Sequence, residues 1–344
     1  KKSFIIVIFT FFLIIPNKSY STSKILTDNG IITIMYHRFD ENKYPSTNIK
    51  IADFKEHINL IKSNNFIFVN PKNFEEKLRN EKDKKKILIT IDDAFLSFYK
   101  NAWPILRDNK IPFILFVNTR EVGSFNYMNW QQIKEISKED FVYIGNHSHS
   151  HEYLVDEKPE TIIDDVSKAI LILEKKIGYK SDFFSYPFGE YSTEFKKIIK
   201  NKGFKYAFGQ HSGVADDTKN FLELPRFPIN EKYGTRKRFQ TILNTIPFKF
   251  KKITPEERYI RNESNPPNVE IEFLGENKNI KLINCYSNEE NKWRKSKIKF
   301  VETNKIQIIL SGKFTTERGR INCSLRENSG LWRWLGIQFV IAEK

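Results

Sequence analysis

No internal repeat and no low-complexity tract runs through this 344-residue chain, which excludes a solenoid or a repeat array. Beyond residue 21 no apolar run is long enough to cross a bilayer, so a polytopic helical membrane protein is excluded as well. Cysteine is scarce: only Cys285 and Cys323 occur, both near the C-terminal end. Two cysteines rule out a disulfide framework and leave open one bridge, expected in an oxidising compartment, or two buried thiols. No histidine follows His211, which restricts where imidazole chemistry can arise. No recognisable nucleic-acid module is present, so the formal charge of +15 is not read as a nucleic-acid footprint. Abundant Lys beside abundant Asn and Ile explains most of that charge as compositional bias. Its functional alternative is peripheral contact with the envelope or an anionic polymer.

What is present begins with a leader-like segment. Lys1-Lys2, the apolar stretch from Phe4 to Ile15 and the small residues around Ser19-Tyr20-Ser21 read as a secretory signal over residues 1–21. The stretch is short for a membrane span, yet retention as an N-terminal anchor stays open. The chain is therefore expected to be exported: periplasmic, extracellular or membrane-anchored.

From about residue 30 to 230, short apolar runs alternate with amphipathic stretches. Ile31–Tyr36, Ile87–Ile91, Phe113–Val117, Phe141–Ile144, Phe183–Tyr186, Tyr206–Phe208 and a run around Leu224–Ile229 read as strands. Between them, Phe54, Ile58 and Ile61 follow helical spacing, as do Ile162, Val166, Ile170, Leu173 and Ile177. Gly178 stands where a helix terminates, and Ser192 is a fitting N-cap for a helix ending near Gly203. This alternation implies an α/β fold with a mostly parallel sheet, open or closed into a barrel, over residues 28–248. Residues 249–268 read as a linker, with a break at Asn265-Pro266-Pro267-Asn268. Residues 269–344 carry strand patterns and no helical one, which predicts a small antiparallel β-sandwich-like accessory domain.

Position gives these runs chemical meaning. His37 follows the first run, Asp92-Asp93 the second and His147 the fourth; Pro187 follows Phe183–Tyr186, and Arg226 lies in the last. In a parallel sheet all of them converge on one rim, where barrel enzymes assemble their sites. His147 and His151 are four apart, so a helical turn or an equivalent loop places both imidazoles on one side. With Asp93 they offer one oxygen and two nitrogen ligands, a set that suits Zn²⁺ or a similar divalent ion with one position left for water. Asp92 is then free to act as a base. His149 is read as facing away, His57 as a surface residue and His211 as a structural histidine.

These motifs resemble the polysaccharide deacetylases of the NodB-homology type, carbohydrate esterase family 4. The resemblance rests on Thr90-Ile91-Asp92-Asp93, on His147-Ser148-His149-Ser150-His151 and on the loop Ser185-Tyr186-Pro187-Phe188-Gly189, and it covers about residues 30–230. It implies a distorted (β/α) barrel with Asp93, His147 and His151 as metal ligands; Ni²⁺, Co²⁺ and Fe²⁺ stay open beside Zn²⁺. It further implies Asp92 as base, the backbone N–H of Phe188 as oxyanion donor and Tyr186 and Pro187 as parts of the substrate loop. Two departures stand out: Ser185 occupies the position of a base-orienting arginine, and the family's C-terminal histidine motif is missing. Ile34-Met35-Tyr36-His37-Arg38 looks like that histidine motif moved to the front, an order similar to the branch that de-N-acetylates poly-N-acetylglucosamine. By that resemblance His37 is the general acid, and Arg226 is the candidate replacement for the missing arginine.

The resemblance thus implies a hydrolase that removes N-acetyl groups from an envelope or matrix amino-sugar polysaccharide. The competing reading is a catalytically silent carbohydrate-binding protein using the same cleft. Trp130 and Tyr186 are candidate sugar-stacking walls, with ordinary packing as the equal alternative. Trp332 and Trp334 share one side of a strand and are expected in the core.

Overall fold

A computed structural model describes residues 30–80, 84–275 and 279–342. The leader-like residues 1–21 lie outside the described residues. Among the described residues no helix is long and apolar enough to cross a membrane.

Six strands, Ile31–Tyr36, Lys86–Ile91, Phe113–Val117, Val142–Asn146, Phe183–Ser185 and Tyr206–Phe208, lie side by side in chain order and all parallel. The first three are buried along their whole length, which is why their sequences are continuous apolar runs rather than alternating ones. One short segment then curls the sheet. Leu224 bridges Phe208 at one edge, while Phe227 and Pro228 pair with Ile34 and Met35 at the other. Arg226 therefore sits in the piece of chain that joins the two edges, with all strand C-termini beside it.

The helices pack on the outside for the reasons their spacing predicts. In Pro159–Ile177, Ile162, Val166, Ala169 and Leu173 form one buried stripe, and Gly178 at φ 85° ends the helix in the left-handed conformation. The Ser192 side chain accepts the Phe195 N–H and caps Thr193–Asn201. His57 corrects the sequence reading, for it is fully buried. It lies on the apolar stripe of Ile51–Ser63, stacks on Phe239 at 3.9 Å and finds partners for both ring nitrogens in the Tyr36 hydroxyl (2.9 Å) and the Gly234 carbonyl (2.7 Å).

The C-terminal part is a two-sheet sandwich around Val269, Ile271, Ile306, Ile321 and Phe339. Cys285 and Cys323 are cross-strand partners and are disulfide-bonded. Residues 249–268 are not a linker: Phe250–Thr254 pairs with Val269–Phe273, and Tyr259–Ile260 pairs with Trp332–Ile341. Their signal is weak because within these two short strands Ile253 and Ile260 alone are buried, while Lys251 and Lys252 face water. Nor is the domain purely antiparallel. Thr245–Pro247 and Tyr259–Ile260 both run parallel to Trp332–Ile341, so the sheet begins inside the stretch assigned to the barrel. Among the contacts that dock the sandwich on the barrel, Gly336 N–H donates to the Ser212 carbonyl at 2.6 Å, and Trp334 packs edge-on against Phe227.

Candidate active site

The strand Lys86–Ile91 and its neighbour Ile31–Tyr36 end together, with the Asp92 N–H donating to the Tyr36 carbonyl at 2.9 Å. This puts His37 beside Asp92 and Asp93. His147 leaves the end of Val142–Asn146, and His151 comes back to it through a loop rather than a helical turn. Asp165 holds that loop by accepting the His149 and Ser150 N–H groups at 2.7 and 3.0 Å, and Ser148 Oγ accepts the His151 N–H. His149 is turned outward onto Thr119 Oγ1.

Asp93, His147 and His151 each bring one ligand atom within 4.8 Å of the others. The Nε2 atoms of His147 and His151 stand 3.4 and 3.3 Å from Asp93 Oδ1. His147 Nδ1 lies 2.7 Å from the Ser185 carbonyl, an acceptor, so Nδ1 carries the hydrogen and the neutral ring presents a lone pair at Nε2. Asp93 Oδ1 is buried without a hydrogen-bond partner among the described residues. An orphaned buried carboxylate oxygen facing two imidazole nitrogens is the donor set of a divalent cation, and these residues fit one.

Asp92 is held differently. Arg226 grips it with both prongs, Nη1 to Oδ1 at 2.7 Å and Nη2 to Oδ2 at 2.8 Å, and both side chains are fully buried. Ser185 Oγ donates to Asp92 Oδ2 at 3.2 Å and accepts from Arg226 Nη2 at 2.9 Å. Arg226 Nε donates to the Gly209 carbonyl, and Nη1 reaches Thr90 Oγ1. The guanidinium thus spends its donors on fixed acceptors, and Asp92 is oriented by charge-assisted bonds.

Electrostatics follow this geometry. Burial alone would raise the Asp92 carboxyl, but Arg226, His147 and His37 outweigh it and hold it below the usual carboxylate range. Asp93, equally buried, is held well below that range by His151 and His147. Burial lowers His147, yet Asp93 and Asp92 more than offset it, so its pKa is raised above 6.5. For His37 and His151 burial prevails over the same carboxylates, and both are lowered.

Five residues of this rim are non-glycines at positive φ: Asp93, Ala94, Ser148, His151 and Phe188, at 74°, 56°, 67°, 55° and 56°. Each left-handed residue costs about 1 kcal/mol or more, and such strain survives only where the surroundings enforce it. The Phe188 ring lies against His151 (4.7 Å between centroids) and stacks on Tyr153 at 4.2 Å. Tyr153, two residues past His151, is an exposed aromatic that sequence spacing alone did not single out. Phe125 is a second exposed aromatic, 90% exposed on a loop whose Asn126 carbonyl accepts the Leu96 N–H just past Asp93.

The two stacking candidates taken from sequence are elsewhere. Tyr186 is fully buried, its hydroxyl donating to the Leu222 carbonyl and its ring packed on Phe184, Tyr191 and Phe195, because the loop needs an anchor in the core. Trp130 starts a helix under the Lys176 ammonium, 5.7 Å from the ring centroid. Lys176 is in the last turn of Pro159–Ile177, three turns beyond the Asp165 that holds the histidine loop, so Trp130 is off this rim. Pro187 is buried and starts the turn that carries Phe188.

Residues 79–207 match the polysaccharide deacetylase family. Among curated proteins, the poly-beta-1,6-N-acetyl-D-glucosamine N-deacetylase of Staphylococcus aureus strain MSSA476 is 25% identical over 232 residues, covering 59% of this chain and 80% of the relative. Two solved structures share the fold. The Streptococcus pyogenes deacetylase PplD in complex with acetate has TM-score 0.57 and 21% identity, covering 63% of this chain and 99% of its own. IcaB from Ammonifex degensii has TM-score 0.56 and 24% identity, covering 62% and 96%. With the strand-end carboxylates, the histidine loop and the curled parallel sheet, these findings agree: residues 79–207 match a polysaccharide deacetylase domain, and the sheet that contains them has the fold of the solved deacetylases.

Proposed function

We propose that the chain is a metal-dependent N-deacetylase of an amino-sugar polysaccharide, of the poly-β-1,6-N-acetylglucosamine class. The observation that carries this is the juxtaposition of an Arg226-oriented carboxylate at Asp92 with the three-ligand cluster of Asp93, His147 and His151. The exported location expected from residues 1–21 agrees with an envelope or matrix polymer.

A divalent cation held there supplies Lewis-acid polarisation of the acetyl carbonyl and makes water more acidic at neutral pH. Asp92 takes the proton of the attacking water. The C–O bond forms, the C–N bond breaks, and acetate and a free amine result. The Phe188 N–H is assigned as donor to the developing oxyanion, supported by the ring's contact with His151. His37 returns a proton to the departing nitrogen, which is a poor leaving group without it. His37 Nδ1 is buried with no hydrogen-bond partner among the described residues, which suits a group whose partner is the substrate. Tyr153 and Phe188 provide an apolar wall for a sugar ring.

The direct test is acetate release from defined N-acetylated oligosaccharides with and without chelator. A β-1,6-linked glucosamine oligomer is expected to react and the chelated enzyme to be silent. No release from any member of a panel that includes peptidoglycan fragments ends the proposal.

Two further results are expected. His37→Ala is expected to lower kcat by about 10²- to 10⁴-fold with metal content unchanged. Because His37 must enter protonated, wild-type turnover falls as pH rises through its pKa, and this descending limb is expected to vanish in the variant. Loss of metal instead would make His37 a ligand. Second, His147 must be deprotonated to bind metal, and its pKa is raised. Metal affinity by equilibrium dialysis is therefore expected to fall about tenfold per pH unit below that pKa, beginning above pH 6.5. An affinity unchanged from pH 8 to pH 5 would exclude His147 as a ligand.

A further inference from the structure

The Phe188 loop touches the C-terminal sandwich as well as the barrel. Arg318, the first residue of the strand Arg318–Arg326, places Nε 2.5 Å from Glu190 Oε1 and its guanidinium 5.4 Å from the centroid of the Phe188 ring. Glu190 is only 2% exposed, and its Oε2 has no hydrogen-bond partner among the described residues. From the neighbouring strand, Gln338 Nε2 reaches the Gly189 carbonyl at 3.4 Å, and Gln338 is itself 2% exposed. Arg318 and Gln338 thus bracket three consecutive residues, Phe188, Gly189 and Glu190. On the barrel side Gly189, at φ 71°, is pressed against Gln210, where a Cβ would come within 2.5 Å of its backbone nitrogen.

This loop needs holding. Phe188 is a bulky residue in the left-handed conformation, which persists only where neighbours over-determine it. Its ring is bounded by His151, Tyr153 and the Arg318 guanidinium. The PplD chain is matched over 99% of its length by 63% of this one, so the remaining part of this chain is additional to that fold.

We infer that the C-terminal β sandwich clamps the active-site loop, with Arg318 as a positioning residue that fixes Phe188 through Glu190. Arg318 does not touch reacting atoms; it sets the backbone from which the oxyanion donor projects. The catalytic part of this inference rests on the deacetylase reading, whereas the clamp itself is measurable without turnover.

The experiment compares full-length wild type with Arg318→Met, Arg318→Lys and Glu190→Gln. Hydrogen exchange of the peptide spanning residues 186–191 is read by mass spectrometry on metal-free protein. Acetate release is read on metal-loaded protein. Arg318→Met is expected to exchange faster at the Gly189 and Glu190 amides, both hydrogen-bonded within the loop, by at least about tenfold. Its kcat is expected to fall by about tenfold to 100-fold, with KM and metal content little changed. Arg318→Lys, which keeps the cation, is expected to recover most of both. Glu190→Gln is expected to loosen the same amides and decides the matter should Arg318→Met fail to fold. Wild-type exchange rates in both Arg318→Met and Glu190→Gln overturn the clamp. Faster exchange with unchanged kcat overturns the positioning role. If wild type releases no acetate from any substrate, the exchange data still decide the clamp, and only the deacetylase reading falls.

Discussion

Asp92→Asn is expected to lower acetate release by about 10²- to 10⁴-fold while metal stays bound at the wild-type stoichiometry. Asn keeps the shape and one acceptor for Arg226, so the grip on Nη1 survives in part. It cannot take a proton at any working pH, so raising pH does not restore the rate. The cluster of Asp93, His147 and His151 is untouched, which is why metal analysis separates this outcome from ligand loss. The substitution also leaves a buried guanidinium short of a charge, so the melting temperature is read alongside. Loss of rate at a temperature where the variant is fully folded is the meaningful result. Acetate release within threefold of wild type would remove Asp92 from the chemistry and leave the Arg226 contact as a structural ion pair.

The parts legible in sequence were those governed by local pattern. Runs such as Ile31–Tyr36 and Phe113–Val117 are apolar, Thr33 apart, because both sides of each strand are covered, and their ends could be read almost to the residue. A parallel sheet then fixes the direction of every strand, so the groups following each run had to meet at one rim. That single inference brought His37, Asp92, Asp93, His147 and Arg226 together. The illegible parts depend on contacts distant along the chain. Nothing in Lys249–Glu257 announces the edge strand Phe250–Thr254, whose pairing comes entirely from Val269–Phe273. His57 sits in a stretch of mixed polarity, and the Tyr36 hydroxyl, the carbonyl of Gly234 and the ring of Phe239, all distant in sequence, make its burial tolerable. The strained backbone at Asp93, His151 and Phe188 has no sequence signature, since none of these is a glycine. Tyr153 had a faint one, lying two residues past His151, where any side chain must stand near the cleft.

Ser185 is the most instructive position. Where the resembled loop carries an arginine, this chain has a hydroxyl, and the cation arrives instead from residue 226, 41 positions later. The exchange works because Leu224–Pro228 pairs with both sheet edges, so a side chain from it projects into the same interior as one from Phe183–Ser185. Ser185 and Arg226 share Asp92 Oδ2, and small and large residues have changed places around one carboxylate.

That arrangement makes Arg226→Met the substitution with the largest expected effect on stability. Removing one partner of a buried ion pair leaves the other charge uncompensated, at a cost of about 3–5 kcal/mol. For a domain of this size that corresponds to a fall of roughly 10 °C in melting temperature. The functional consequence has a definite sign. In wild type Arg226 is the chief group opposing burial at Asp92; without it, burial is opposed by His147 and His37 alone and the carboxyl pKa rises. Asp92 is then protonated at pH values where wild type is ionised, so the ascending limb of the pH–rate profile moves upward and activity recovers as pH rises. Arg226→Lys restores a charge but not the two-pronged geometry and is expected to fall between the two. The double variant Asp92→Asn/Arg226→Met removes both charges. It is expected to regain much of the lost stability and none of the activity, a pattern that a merely space-filling Arg226 cannot produce. Additive destabilisation in the double variant, with no upward movement of the acid limb in Arg226→Met, would contradict the role assigned to this ion pair.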